Sequence, residues 1–103
     1  QDNSRTTTMQ PKIYSVFDVQ AEAFGQPFFM QTDGIALRSF NEAAQNPQTE
    51  ISKYPDDYVL YNIGTYDDDT GIITPQTPKR LHSASTALKM FRNNQPLPNE
   101  GQE

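Results

Sequence analysis

The sequence predicts an α+β domain: a small antiparallel sheet of three or more strands, one main packed helix, a short C-terminal helix and flexible termini. Three observations predict it. Runs rich in β-branched and aromatic residues stand at 11–19, 58–66 and 72–74, the composition that fits a pleated, half-buried surface. Helical apolar periodicity occupies 32–45 and, more briefly, 83–92. The 103 residues are only 34% hydrophobic, with a mean hydropathy of -0.79. That is lean for a globular domain, so one modest core is expected, with residues left outside it.

Residues 1–10 are polar and aperiodic and are expected to be a disordered tail. Met9 precedes the first structured pattern and is a candidate boundary of the folded unit. Residues 11–19 read as a central strand. Ile13, Ser15 and Phe17 share one side and Tyr14, Val16 and Asp18 the other, so apolar groups occupy both faces. Gly25 and Pro27 break any long helix over 20–31, where Phe28, Phe29 and Met30 read as an extended segment plugging one edge of the core.

Thr32 or Asp33 is placed to cap the helix that follows. Ala36, Leu37, Phe40, Ala43 and Ala44 form its apolar stripe, while Arg38, Asn41, Glu42 and Gln45 are expected to face water. Asn46-Pro47 ends it, because the residue before a proline is pushed out of the helical region. A polar connector, 46–57, carries Ile51 and Tyr54 as anchors. In the second strand Val59, Tyr61 and Ile63 oppose Tyr58, Leu60 and Asn62. Asp67 to Gly71 reads as a tight hairpin turn into a strand at 72–74. The prolines of 75–82 are expected to carry the chain out of the sheet. In the last helix Ser83 or Ser85 caps, and Ala84, Ala87, Leu88 and Phe91 share one stripe. Asn93 and Asn94, then Pro96 and Pro98, stop it. The expected organisation is thus a tail at 1–10, one domain at 11–92 and a disordered tail at 93–103. Phe17, Phe28, Leu37, Phe40, Leu60 and Ile63 are the expected core.

Several function classes lack support. There is no cysteine and one histidine, His82, which leaves disulfide scaffolds, thiolate metal sites and cysteine catalysis out and a His-based metal site or triad without enough residues. No phosphate-binding glycine loop, dinucleotide fingerprint or zinc-protease motif is present, so no enzyme and no cofactor is expected. Asp67, Asp68 and Asp69 do not make an EF-hand loop. Counted from Asp67, the sixth position is Ile72 and the twelfth Pro78, where glycine and glutamate belong. No metal is expected. No apolar run approaches the roughly 20 residues that span a bilayer, and no membrane partner is expected.

Charge is unevenly spread. Residues 1–78 carry a net of -7, residues 79–92 a net of +4 from Lys79, Arg80, Lys89 and Arg92, and residues 93–103 a net of -2. The basic segment can dock on phosphates or be an ordinary solvated helix face. His82 beside it is a further possible phosphate contact. Tyr14, Phe17, Tyr58, Tyr61 and Tyr66 fall on or beside strands, where aromatics either pack or stack on unpaired bases. The candidate nucleic-acid contacts are therefore Lys79, Arg80, Lys89 and Arg92 for phosphates, on one side of the segment, and Tyr14 and Tyr61 for bases.

Three segments carry a family resemblance: IYSVFD, QPFFMQTDGIALRSF and YPDDYVLYNIGTYDDDTGIIT. The P-F-F of Pro27, Phe28 and Phe29 precedes the helix. The hairpin pattern holds Tyr58, Leu60, Tyr61, Ile63, Gly64, Tyr66, Asp67, Asp68, Thr70 and Gly71. Over about residues 12–75 the chain resembles the small nonstructural protein of gokushoviruses, microviruses with circular single-stranded DNA genomes. The resemblance implies a non-enzymatic phage protein of the host cytoplasm that associates with single-stranded DNA and supports genome synthesis or packaging. No catalytic residues carry over. The alternative is an acidic adaptor that contacts a phage or host replication or assembly protein. Oligomeric state is left open.

Overall fold

The computed structural model describes residues 10–94. Residues 1–9 of the expected tail at 1–10, with its Met9 boundary, and residues 95–103 of the tail at 93–103 lie outside them. Five strands and three helices follow in order: β1 Lys12–Asp18, β2 Ala23–Phe24, β3 Phe28–Met30, α1 Asp33–Gln45, α2 Glu50–Lys53, β4 Tyr58–Asp67, β5 Ile72–Ser83 and α3 Ala84–Asn94, with a 3-10 turn at Pro55–Asp57. The sheet is antiparallel, curled, and ordered β2-β1-β4-β5, with β3 continuing along the same edge of β1 as β2. This is the α+β class that the sequence predicts.

β1 is central, as its two-sided apolar pattern requires. Its residues alternate between faces, and residues opposite one another across antiparallel strands share a face. Tyr14 opposes Asn62 and Phe28, and Val16 opposes Leu60. These side chains meet the helices. Ile13 opposes Phe29, and Phe17 opposes both Phe24 and Val59. These point the other way. The core lies on the first face, where Tyr14 and Leu60 pack against Ala36, Phe40 and Ala44 of α1 and Ala84 and Ala87 of α3. Small residues on both helices let α1 and α3 sit close to each other and to the sheet. Among the described residues, the helices contribute to the core cluster of this face, while Ile13 and Val59 are buried on the opposite one.

Local signals explain the boundaries. Thr32 caps α1, its hydroxyl accepting from the Ile35 amide at 3.1 Å. Thr49 caps α2 and Ser83 caps α3 in the same way, through the Ser52 and Thr86 amides. In the β4–β5 turn the Asp67 carboxylate accepts from the amides of Asp69 and Thr70 at 2.9 and 3.3 Å. Gly71 closes the turn at φ 79°, where a side chain is strained.

Several expectations are corrected. Residues 75–82 do not leave the sheet; β5 runs on to Ser83. It is the outer strand, so Pro75 and Pro78 need no ladder hydrogen bond, and register shifts opposite Val59–Tyr61 and Asn62–Gly64 absorb the extra residues. The 20–31 segment contributes two short strands rather than one plug. The connector folds a single helical turn, with Ile51 half-buried against the core and Tyr54 exposed. Asn41 is buried instead of facing water, and its side-chain oxygen accepts from Gln45 at 3.4 Å. α3 runs two residues beyond Arg92. Of the expected core, Phe40 and Leu60 are buried, while Phe17, Phe28, Leu37 and Ile63 are half-buried.

Candidate nucleic-acid interface

The two tyrosines proposed for base stacking part company. Tyr14 has no exposed surface, and its ring stacks on Phe28 with centroids 5.9 Å apart. Its hydroxyl donates to Asp33 Oδ1 at 2.6 Å. A base cannot reach it, so Tyr14 is withdrawn from the interface. The reason is its parity on β1, which turns it toward the helices.

Around Tyr14 lies a polar knot that ties the first turn of α1 to the sheet. Asn62 Nδ2 also donates to Asp33 Oδ1, at 3.2 Å. Asn62 Oδ1 in turn accepts from the Gly64 amide and from Gln76 Nε2. Partial burial of Asp33 favours its neutral form, but the hydrogen bonds from Tyr14 and Asn62 and the charges of Lys79 and Lys12 prevail and hold its pKa below the ordinary value. Tyr14 is shifted up from its ordinary 10 by burial first and by the Asp33 carboxylate second. The knot is a fastening, with its polar atoms directed at one another.

Tyr61 lies on the other face, half-buried. It forms an aromatic cluster with Phe17 and Phe24. Ring centroids are 4.8 Å apart for Phe17–Phe24, 5.2 Å for Phe24–Tyr61 and 6.1 Å for Phe17–Tyr61, the last two edge-to-face. In an edge-to-face pair the ring that presents its edge keeps its faces uncovered by that partner. Phe24 remains 45% exposed. The turn that delivers it is held by Asp18, whose carboxylate accepts from the amides of Gln20 and Ala21, and it carries Glu22 at φ 57°. Phe17, which the sequence counts among the strand aromatics, and Phe24, which it does not, join Tyr61 in this cluster. No local signal announces that 23–24 folds back onto β1.

The four cations divide. Arg80 opposes Tyr61 across β4 and β5, so it stands beside the aromatic cluster, exposed. Lys79 opposes Asn62 on the helix side, where its Nζ lies 3.7 Å from Asp33 Oδ2. Lys89 and Arg92 are exposed on α3, in the helix layer. The structure therefore does not set these four along one side of a segment. Adjacent strand residues point apart, and β5 replaces the expected loop into the helix. His82 is half-buried near the end of β5.

The Asp67, Asp68 and Asp69 carboxylates approach within 4.8 Å of one another, but Asp67 is already committed to the turn's own amides. Among the described residues no helix is long and apolar enough to cross a membrane.

Fold and site together define a class: a small α+β protein with a sheet covered by helices on one face and aromatic on the other. The profile of the phage ORF5 protein family matches residues 11–87, from just before β1 into α3, and the chain belongs to that family. No curated protein and no solved structure matches it.

Proposed function

We propose that this phage protein is a non-enzymatic, single-stranded-DNA-associated protein that acts in the host cytoplasm, in support of genome synthesis or packaging. The observation that carries the reading is the cluster of Phe17, Phe24 and Tyr61 on the helix-free face, with Arg80 in register beside Tyr61. Bases stack on such rings without sequence preference, and a guanidinium beside them takes a phosphate. The sequence resemblance to the gokushovirus nonstructural protein supports the same reading and suggests that group of phages as its source.

Binding by this face draws mainly on stacking. With Arg80 as the one cation beside the rings among the described residues, the log–log salt slope for a single strand is expected near about -0.7, where four phosphate contacts would give about -3. The test is fluorescence anisotropy of a labelled oligothymidylate across a salt series, with oligouridylate and duplex DNA as further arms. Binding that is shallow in salt and lost in Tyr61→Ala supports the reading. Equal binding of duplex, or no binding at low salt, overturns it.

A second reading is an acidic adaptor for a basic phage or host protein. The net -7 of residues 1–78 favours it. It takes over if the oligonucleotide test fails.

A further inference from the structure

A second pair of rings stands on the same face. Phe29 opposes Ile13 on β1, and Ile13 shares its side of the strand with Ser15 and Phe17. Phe29 packs edge-to-face on Tyr66 of β4, with ring centroids 5.5 Å apart, and is 48% exposed. Neither ring joins the buried core.

The lane between the two aromatic groups has a definite length and character. Phe24 sits opposite Phe17 and Phe29 opposite Ile13, four residues apart along β1, or about 13 Å. Along it β1 and β4 place Ile13 and Ser15, which are buried beneath the rings, and the half-buried Phe17, Tyr61 and Ile63, and none is charged. β1 and β4 place no carboxylate between the two groups, and the acidic turn of Asp67, Asp68 and Asp69 begins directly after Tyr66. The Ser15 hydroxyl is turned inward, donating to the Gly25 carbonyl at 2.7 Å, so it does not compete for a ligand.

We propose that Phe29 and Tyr66 form a second base-stacking platform, so that one single strand spans both aromatic groups. The inference rests on the reading that Phe17, Phe24 and Tyr61 bind single-stranded DNA. A strand stacked at about 3.4 Å per nucleotide covers the interval in about four nucleotides, and a more extended strand in fewer. Affinity should therefore step up at a threshold length, once a strand reaches from one platform to the other. The second contact is then intramolecular and gains by effective concentration.

The experiment measures the affinity of oligothymidylates from about two to about ten nucleotides for the full chain and its variants by competition anisotropy. For the parent, affinity steps up between about three and about six nucleotides. Phe29→Ala removes the step and lowers affinity for the longest oligomers by about 5- to 150-fold, the loss typical of one stacked base. It leaves the shortest oligomers bound as before. Phe29→Tyr, which keeps a ring, restores the step. Phe29→Leu, which keeps apolar bulk, does not, and this separates stacking from packing should Phe29→Ala perturb the fold. If Phe29→Ala and Phe29→Leu bind long oligomers like the parent while Tyr61→Ala does not, the second platform is wrong and the first stands. If the parent binds none of the oligomers, both fall.

Discussion

On the helix-covered face Tyr14 is sealed against Phe28 and Asp33; on the opposite face Tyr61 stands half-exposed among Phe17, Phe24 and Arg80. Both are tyrosines in the middle of adjacent strands. Their fates differ because strand parity assigns a side and the helices occupy only one. The same division separates Lys79, paired with Asp33, from Arg80, its immediate neighbour. What a residue does in this molecule follows from its face before it follows from its type. The predictions below try to break that separation, from the largest expected effect to the smallest.

Phe40 belongs wholly to the covered face, 4% exposed and packed between α1 and the sheet. Phe40→Ala should cost about 3–5 kcal/mol, the usual loss for a large buried ring. Against a typical ~5–15 kcal/mol for a native domain, this is a substantial destabilisation. Urea denaturation reads it. A loss below about 1 kcal/mol would mean that the helix layer does not seal the face.

Asp33 tests the polar part of the same face. Asp33→Ala strips the partner from the buried Tyr14 hydroxyl, an unsatisfied-group penalty of about 1–3 kcal/mol. The pH dependence has two sides. The folded-state pKa of Asp33 is depressed, so its contribution is present above the ordinary carboxylate range near 4 and is lost as pH falls through the folded value. That of Tyr14 is raised, so its contribution is whole below about 10 and declines as pH climbs toward the folded value. Asp33→Asn should flatten the acid limb, read as denaturation midpoint against pH. An unchanged acid limb would show that the knot does not couple to folding.

Tyr61→Ala makes the complementary test on the open face. It should cost about 1–3 kcal/mol in single-strand binding, as loss of a stacked base does, while far-UV circular dichroism stays that of the parent. Were Tyr61→Ala to unfold the chain instead, the open-face cluster would be core under another name.

These contrasts also show what the sequence made legible. Strand parity was readable at 12–18 and 58–63, because alternation is a local property. Each cap was readable to within a pair, Thr32 or Asp33 and Ser83 or Ser85, and the first of each pair is the one that caps. The covered face was not readable. β1 has apolar groups on both sides, and only the docking of Ala36, Phe40, Ala84 and Ala87 decides which side is buried. That is why Tyr14 and Tyr61 looked equivalent. The continuation of β5 through Pro75 and Pro78 was hidden for a related reason: proline argues against a strand unless the strand is known to be at an edge, and edges are a property of the assembled sheet. Asn62 and Asp33 joined for want of any local signal at all, across 29 residues.

The smallest expected effect is the most direct test of the division between layers. Lys89 and Arg92 lie three apart on α3 and are neighbours on its surface, so on charge alone they form the best-looking cationic pair in the chain. α3 buries Ala84 and Ala87 in the core on the covered side, and Tyr61 and Arg80 lie across the sheet from that layer. A sheet and the helix axis packed on it are about 10 Å apart, beyond a Debye length of about 8 Å at physiological ionic strength. Replacing both by glutamine should therefore change open-face binding by under about 0.5 kcal/mol, the range of ordinary surface changes, whereas Arg80→Gln should weaken it and flatten the salt slope. Should the Lys89 and Arg92 double variant lose most of the binding and Arg80→Gln lose none, the strand runs over the helix layer, and the aromatic face is left to a protein partner.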